Sequence, residues 1–274
     1  MPNHVTHRLE ITAPTKEELD AFLDAIRGEP EGLEAAPHIS FNRIIPMPDI
    51  IRNTESSSTV TIGLALIDRF DLADTLMTPD GSAEGFFRTY LTFDWVKKEG
   101  ITTVEEVKEL LRQRCPDAEE KARQAVEAYE KYGYKDWYNW AIDKWGTKWD
   151  AYGQTLVRKS DTEAELIFLT AWSPPTPVFT RIGELFPNIR IVGACFDEGW
   201  GYACAIGVFD GHAYVVDVPQ EKSEMNRFYH YVFDSYPLVW PDDGGEPDIV
   251  EVEKANPAEL LGQLVEMPAV KSAV

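Results

Sequence analysis

Four of the eight tryptophans of this 274-residue chain fall within residues 137–149, in the segment Trp137-Tyr138-Asn139-Trp140-Ala141-Ile142-Asp143-Lys144-Trp145-Gly146-Thr147-Lys148-Trp149. Trp137, Trp140 and Ala141 sit at helical spacing, which aims both indoles to one side, and Gly146 marks the turn out. Indoles are large, rigid and amphipathic. Gathered like this they either seal a seam between helices and a sheet or offer a stacking surface to a ligand. The seam is the preferred reading. Lys144 and Lys148 interleave with Trp145 and Trp149, the pairing by which single-stranded nucleic-acid binders hold phosphates and bases, so that role is a second alternative.

A second constellation is Asp197-Glu198 followed by Gly199-Trp200-Gly201. Two adjacent carboxylates on an aromatic-bearing turn can serve acid–base chemistry or hold a cation. Turns favour Asp and Gly in any case, and no His or Cys partner is readable nearby, so the structural role is expected. The enzymatic alternative gathers Asp197, Glu198 and Asp150 beside Trp149, Trp172 and Trp200 in one acidic and aromatic pocket.

Further chemistry is hard to find. His4 and His7 lie three apart on a predicted strand, hence on opposite faces, and make poor joint metal ligands. His38, His212 and His230 are isolated, and Asp242-Asp243-Gly244-Gly245-Glu246 lacks the alternating ligands of an EF-hand. No phosphate-binding loop, dinucleotide fingerprint, zinc-protease motif or nucleophile elbow occurs. No cofactor and no metal are expected, and no catalytic residue can be named.

Charge narrows the partners. With 26 Lys+Arg against 47 Asp+Glu the formal net charge is −21, which repels a phosphate backbone and disfavours nucleic acid. Residues 201–274 hold 13 acidic against 4 basic side chains, so the acid is concentrated at the C-terminal end. It reads as a solvated face, or as a docking surface for a basic protein. Cys115, Cys195 and Cys204 are too few for a disulfide framework and form no C-x-x-C pair, so free thiols in a reducing compartment are expected. With no apolar run long enough to span a bilayer and no signal-peptide pattern at Met1-Pro2-Asn3-His4, the expected location is the cytoplasm.

The elements that must position these residues follow from periodicity. Val5 to Ile11 alternates as a strand; Thr15 and Glu18 form a capping box before Leu19, Phe22, Leu23 and Ile26; His38 to Ile45 is a strand candidate. Val60 to Phe70 reads as helix, although Gly63 argues against it. Thr103 with Glu106 caps a helix to about Arg114, and Ala118 to Tyr132 is another, with Ala122, Ala125, Val126 and Tyr129 inward and Gly133 as its stop. Ala164 to Trp172 is a strand, Val178, Phe179, Ile182, Leu185 and Phe186 line a helix, and Ile189–Phe196 pairs with Tyr202–Phe209 in a hairpin. In that register Cys195 and Cys204 can face each other. A strand at Ala213–Val218, a helix through Phe228, Tyr229, Val232 and Phe233, and a helix capped by Asn256 with Leu260, Leu261, Leu264 and Val265 inward complete the chain.

Two β-α-β units with antiparallel additions make the fold class α+β, a ferredoxin-like split β-α-β sandwich with peripheral helices. The expected organisation is a core of residues 1–48 and 150–218, a largely helical insertion at 49–149, and an acidic extension at 219–274.

The motifs Trp145-Gly146-Thr147-Lys148-Trp149-Asp150-Ala151-Tyr152, Thr170-Ala171-Trp172-Ser173-Pro174-Pro175 and Asp197-Glu198-Gly199-Trp200-Gly201 resemble the YubB-like proteins of plasmids and phages. Pro2-Asn3-His4-Val5 and Ile45-Pro46-Met47-Pro48 are also similar to theirs, so the likeness spans about residues 2–205. It implies a ferredoxin-like domain and a mobile-element setting, and carries over no activity or catalytic residue. The leading expectation is a non-catalytic binding protein acting through protein contacts, with candidate binding residues Trp137, Trp140, Lys144, Trp145, Lys148, Trp149, Trp172, Asp197, Glu198 and Trp200.

Overall fold

The alternation at the N-terminus buries Val5, His7, Leu9 and Ile11 along one face of a strand in the computed structural model, which describes residues 3–30, 35–73, 78, 80–239 and 247–265. In chain order the elements are β1 (His4–Thr12), α1 (Lys16–Ile26), α2 (Phe41–Ile44), α3 (Asp49–Arg52), α4 (Ser58–Leu66), α5 (Ala83–Tyr90), α6 (Asp94–Lys98), α7 (Val104–Arg114), α8 (Ala118–Tyr132) and α9 (Trp137–Lys144). They continue with β2 (Tyr152–Arg158), β3 (Glu163–Ala171), α10 (Thr176–Leu185), β4 (Arg190–Asp197), β5 (Ala203–Phe209), β6 (His212–Asp217), α11 (Lys222–Phe233), β7 (Leu238–Val239), β8 (Asp248–Ile249) and α12 (Pro257–Val265). Met1–Pro46 with Ala141–Val274 forms one compact unit, and Met47–Trp140 forms another.

The first unit is built on a six-stranded sheet ordered β2-β3-β1-β4-β5-β6, with every neighbouring pair antiparallel. Taken as β1-α1-β2-β3-α10-β4, its first four strands are the ferredoxin-like arrangement, and β5 and β6 extend it. The fold class is therefore α+β, ferredoxin-like. The expected strand at His38–Ile45 is corrected: residues 41–44 are helix α2, and the second strand of the split unit is Tyr152–Arg158. The reason lies far away in sequence. The Asp150 carboxylate accepts hydrogen bonds from Ser40 Oγ at 2.7 Å, Phe41 N at 2.6 Å and Asn42 N at 3.4 Å, satisfying the amides a helix start leaves open. Strand β2 escapes sequence reading because it is an edge strand with most side chains exposed, so no apolar alternation marks it.

β4 and β5 are buried on both faces, which is why they read as near-continuous apolar runs. One face holds Cys195, Cys204, Ile206 and Val208, and α10 packs against β5 and β6 on it through Val178, Phe179 and Ile182. Leu185, expected inward, is exposed because the stripe runs out in the last turn. The other face presents Ala194, Phe196, Ala203 and Ala205 to Met225, Phe228, Tyr231 and Val232 of α11 and Leu261 of α12. Asn256 Oδ1 accepts from Ala258 N at 3.2 Å, capping α12 as its sequence suggests. The acidic turn at 242–246 and the side chains of Leu264 and Val265 lie outside the described residues.

The second unit is helical, with Val60, Leu64, Phe70, Phe86, Phe87, Val96, Val107 and Leu111 in its core. Thr103 and Glu106 form the expected capping box. Gly63 does not interrupt α4; it lets α4 meet α8, since a Cβ there would stand 1.9 Å from Ala118 O. The buried stripe of α8 is Ala118, Ala122, Ala125 and Ala128, while Tyr129 is exposed and Val126 only partly buried, a correction set by that close alanine contact. Asp136 caps α9 by accepting from Asn139 N at 2.8 Å. Among the described residues no helix is long and apolar enough to cross a membrane.

Candidate functional site

Two of the sequence motifs turn out to be one structure. Gly146, at φ +81°, turns the chain out of α9, and a Cβ there would stand 2.7 Å from Pro177 Cδ. Thr147, fully buried, donates through Oγ1 to Ala171 O at 2.8 Å and accepts from Ala171 N at 3.2 Å, so its hydroxyl pairs with the end of β3 as a backbone residue would. Ser173 Oγ donates to Gly146 O at 2.6 Å, and Thr170 Oγ1 to Ser173 O at 2.8 Å. The 146–149 loop and the 170–175 turn thereby lock each other at one end of the sheet.

The third motif joins them there. Trp172 N donates to Asn3 O at 3.0 Å, Tyr202 Oη donates to Trp172 O at 2.7 Å, and Glu198 N donates to His4 O at 2.9 Å. Burial first, then the neighbouring sulfur and carboxylate charges, pushes the Tyr202 phenol upward, which keeps that donor protonated. Tyr152 Oη donates to Thr170 O at 3.1 Å, so the His4 Nδ1 that lies 2.6 Å away is the donor to its oxygen.

The carboxylates are occupied by the backbone. Asp197 is buried, and its Oδ2 accepts from Gly201 N at 3.0 Å; Glu198 Oε1 accepts from His4 N at 2.7 Å. Asp150 caps α2 as described, with burial raising its pKa against the opposing pull of its hydrogen bonds. These three acids therefore act as turn, edge and cap ligands, each engaged by backbone amides. Among the described residues no group of three His, Cys, Asp or Glu is placed to hold a metal ion.

The tryptophans divide. Trp140 and Trp145 are 5% and 6% exposed, and Trp145 Nε1 donates to Ile45 O at 2.9 Å; these two seal the interior. Trp137 is half-buried and edge-on to Tyr138. Lys144 is exposed in the last turn of α9, 3.0 Å from the Asp143 carboxylate. Trp149, Trp172 and Trp200 depart from the sealing role at 38%, 41% and 40% exposure. Lys148 Nζ stands 4.7 Å from the Trp149 ring centre and 5.1 Å from that of Trp172, joining the two indoles through cation–π contacts. Trp200 stacks on Tyr229 of α11 at 5.1 Å and meets Phe196 edge-on. Trp172 and Trp200 both occupy left-handed backbone, at φ +72° and +61°.

The structure thus brings Lys148, Trp149, Trp172, Asp197, Glu198 and Trp200 to one end of the sheet, while Trp137, Trp140, Lys144 and Trp145 belong to α9 and its exit. Sequence reading missed Tyr152, Tyr202 and Tyr229, which buttress the exposed indoles. Tyr152 closes the first quoted motif and Tyr202 directly follows the third, which was the available signal; Tyr229 is marked in the sequence only as part of a helix. A cavity of about 430 Å³ at the opposite end of the sheet, lined by Glu10, Arg190, Tyr231, Lys254 and Asn256 among others, contains none of the candidate binding residues.

Residues 144–231 match the family model described as a ferredoxin-like domain in Api92-like protein. The match takes in α10 and continues past Gly211 into α11. No curated protein matches the chain. Among solved structures the chain is similar to protein api92 from Yersinia pseudotuberculosis, at 11% identity and a TM-score of 0.36, over 78% of this chain and 98% of that one.

Proposed function

We propose that this is a non-catalytic binding protein whose contact surface is the aromatic end of the sheet, with Trp172 and Trp200 as anchors and Trp149 and Lys148 beside them. One observation carries the reading. A bulky non-glycine residue in left-handed backbone costs about 1–3 kcal/mol, and such strain concentrates at functional sites. Here it falls twice on tryptophan, at one end of one sheet, with both rings two-fifths exposed. The exposed part of each indole leaves apolar area unburied within the chain, and a partner that covers it gains that burial. Tryptophan and tyrosine are the residues on which protein–protein binding energy concentrates.

The partner is a protein, and the charge of −21 favours a basic one. The likeness of the three quoted motifs to YubB-like proteins supports a phage- or plasmid-borne origin and a host protein as target. The carboxylate geometry speaks against the enzymatic alternative. Lys148 lies over the faces that bases would need, which together with the net charge speaks against single-stranded nucleic acid.

The test is affinity capture from a bacterial host extract with the wild-type chain and with a Trp149→Ala/Trp172→Ala/Trp200→Ala variant of matched circular dichroism. A protein retained by the first, lost by the second and released by raised salt supports the proposal. Identical retention by both, or a direct titration in which an oligonucleotide binds instead, overturns it.

A further inference from the structure

His7, Cys195, Cys204 and Asp217 stand in one row across four neighbouring strands. His7 on β1 is the register partner of Cys195 on β4, Cys195 of Cys204 on β5, and Cys204 of Asp217 on β6. Register partners project to the same face of a sheet, so the four side chains are successive neighbours. His7 and Cys195 are fully buried, Cys204 is 3% exposed, and Asp217 reaches solvent on the edge strand.

The pair is placed for a bond. Asp197 N donates to Tyr202 O at the head of the hairpin, which makes Cys195 and Cys204, two residues further down each strand, a hydrogen-bonded pair. Such pairs hold their Cα atoms about 5.5 Å apart, within the roughly 4.4–6.8 Å that a disulfide spans, while their Cβ atoms, about 5.5 Å apart, must close by about 1 Å for the bond to form. Around the pair the core holds polar groups that packing alone does not require. His7 Nδ1 lies 3.1 Å from Val5 O, which can only accept, so the proton is on Nδ1; Nε2 is buried with no hydrogen-bond partner. The imidazole stacks on Phe168 on one side and adjoins Cys195 on the other. Cys204 Sγ donates to Asp217 Oδ1 at 3.4 Å. The adjoining Cys204 sulfur, and behind it the neighbouring His7, draw the Cys195 thiol down against its burial. The adjoining Cys195 sulfur, burial and the Asp217 carboxylate push Cys204 upward, so the two thiols are unlike.

We propose that Cys195 and Cys204 are a peroxide-oxidisable dithiol that closes to a disulfide at the base of the Trp200 hairpin. Cys195 is the attacking thiol; both sulfurs are buried, so the oxidation proceeds from molecules in which the hairpin has opened locally. Its sulfur takes the distal oxygen of hydrogen peroxide as the O–O bond breaks, and the departing hydroxide takes up the Cys195 proton to leave as water. Cys204 sulfur then attacks the sulfur of the Cys195 sulfenic acid. The S–OH bond breaks, and the hydroxyl leaves as a second water with the Cys204 proton, which the Asp217 carboxylate is positioned to pass on. The two thiols lose two electrons in all, and the peroxide gains them.

The experiment treats the reduced, folded full chain with hydrogen peroxide, then quenches, unfolds, counts thiols and maps linked peptides. The expected count falls from the three thiols of the resting protein to one, with the peptides of Cys195 and Cys204 joined within a molecule and separated again by dithiothreitol. A Cys115→Ser variant loses both remaining thiols, and a Cys204→Ser variant forms no intramolecular link. Retention of all three thiols, a link through Cys115, or Cys195 recovered as sulfinic acid beside a free Cys204 overturns the proposal. This outcome is independent of whether the aromatic surface binds a protein.

Discussion

At the scale of single residues the decisive groups are those whose cost is visible in the fold. Trp172 at φ +72° is the clearest. Replacing it with glycine removes a side chain that is 41% exposed and relieves the backbone, whereas alanine removes the same ring and keeps the strain. Trp172→Gly should therefore be more stable than Trp172→Ala by about 1 kcal/mol in urea unfolding, while both lose partner capture. A Trp172→Ala chain as stable as Trp172→Gly would remove the argument from strain. Asp150 carries the opposite lesson. Asp150→Ala leaves the Phe41 and Ala151 amides and the Ser40 hydroxyl without their acceptor and should cost about 3 kcal/mol. Burial raises its pKa above 3.8, so the folded state binds this proton more tightly than the unfolded chain. Stability relative to Asp150→Asn should then be greatest below pH 3.8 and decline as pH rises through the raised value, read from denaturation midpoints across that range.

At the scale of elements the contacts that matter are close approaches that only small residues permit. Helix α4 crosses α8 where Gly63 faces Ala118 and Ala122, and an added methyl would meet the Ala118 carbonyl and the Ala122 Cβ at 1.9 and 2.8 Å. Backbone cannot yield as a flexible side chain does, so Gly63→Ala should destabilise by about 3 kcal/mol, measured by chemical denaturation. Helix propensity alone would predict a gain of about 1 kcal/mol at the same site, so the sign of the change separates the two effects. Elements also explain which parts of the sheet were legible. The hairpin β4–β5 is local, with a turn-forming Asp-Glu-Gly-Trp-Gly between two apolar runs, so its existence was legible, and the structure selects the register in which the two cysteines face each other. Strand β2 pairs with β3 through one irregular edge and carries no apolar code, so nothing local announced it.

At the scale of the whole molecule the chain encloses a helical segment within the sequence of a sheet domain. Residues 47–140 have their own buried core of valine, leucine, phenylalanine and alanine side chains. A chain of residues 47–140 alone should fold, giving a helical circular dichroism spectrum and a cooperative thermal transition; a featureless melt would mean that it depends on the remainder. Within the sheet unit Trp145 Nε1 donates to Ile45 O, so the two ends that receive the helical segment are held together without it.

The sequence by itself determined the local elements: capped helices at Thr15, Thr103 and Asn256, and alternating or doubly buried strands; it pointed to the ferredoxin-like class while assigning the second strand of the split unit to residues that form α2. These follow from periodicity and from donors and acceptors three residues apart, information carried within a few turns of chain. Tertiary structure alone decided that Asp150 ends a strand candidate by capping α2 more than a hundred residues earlier, that Thr147 substitutes for a backbone partner of Ala171, and that the tryptophans divide between seal and surface. The physical reason is that an indole's preference for burial or for solvent contact depends on what closes over it, and the groups that do so arrive from strands and loops distant in sequence.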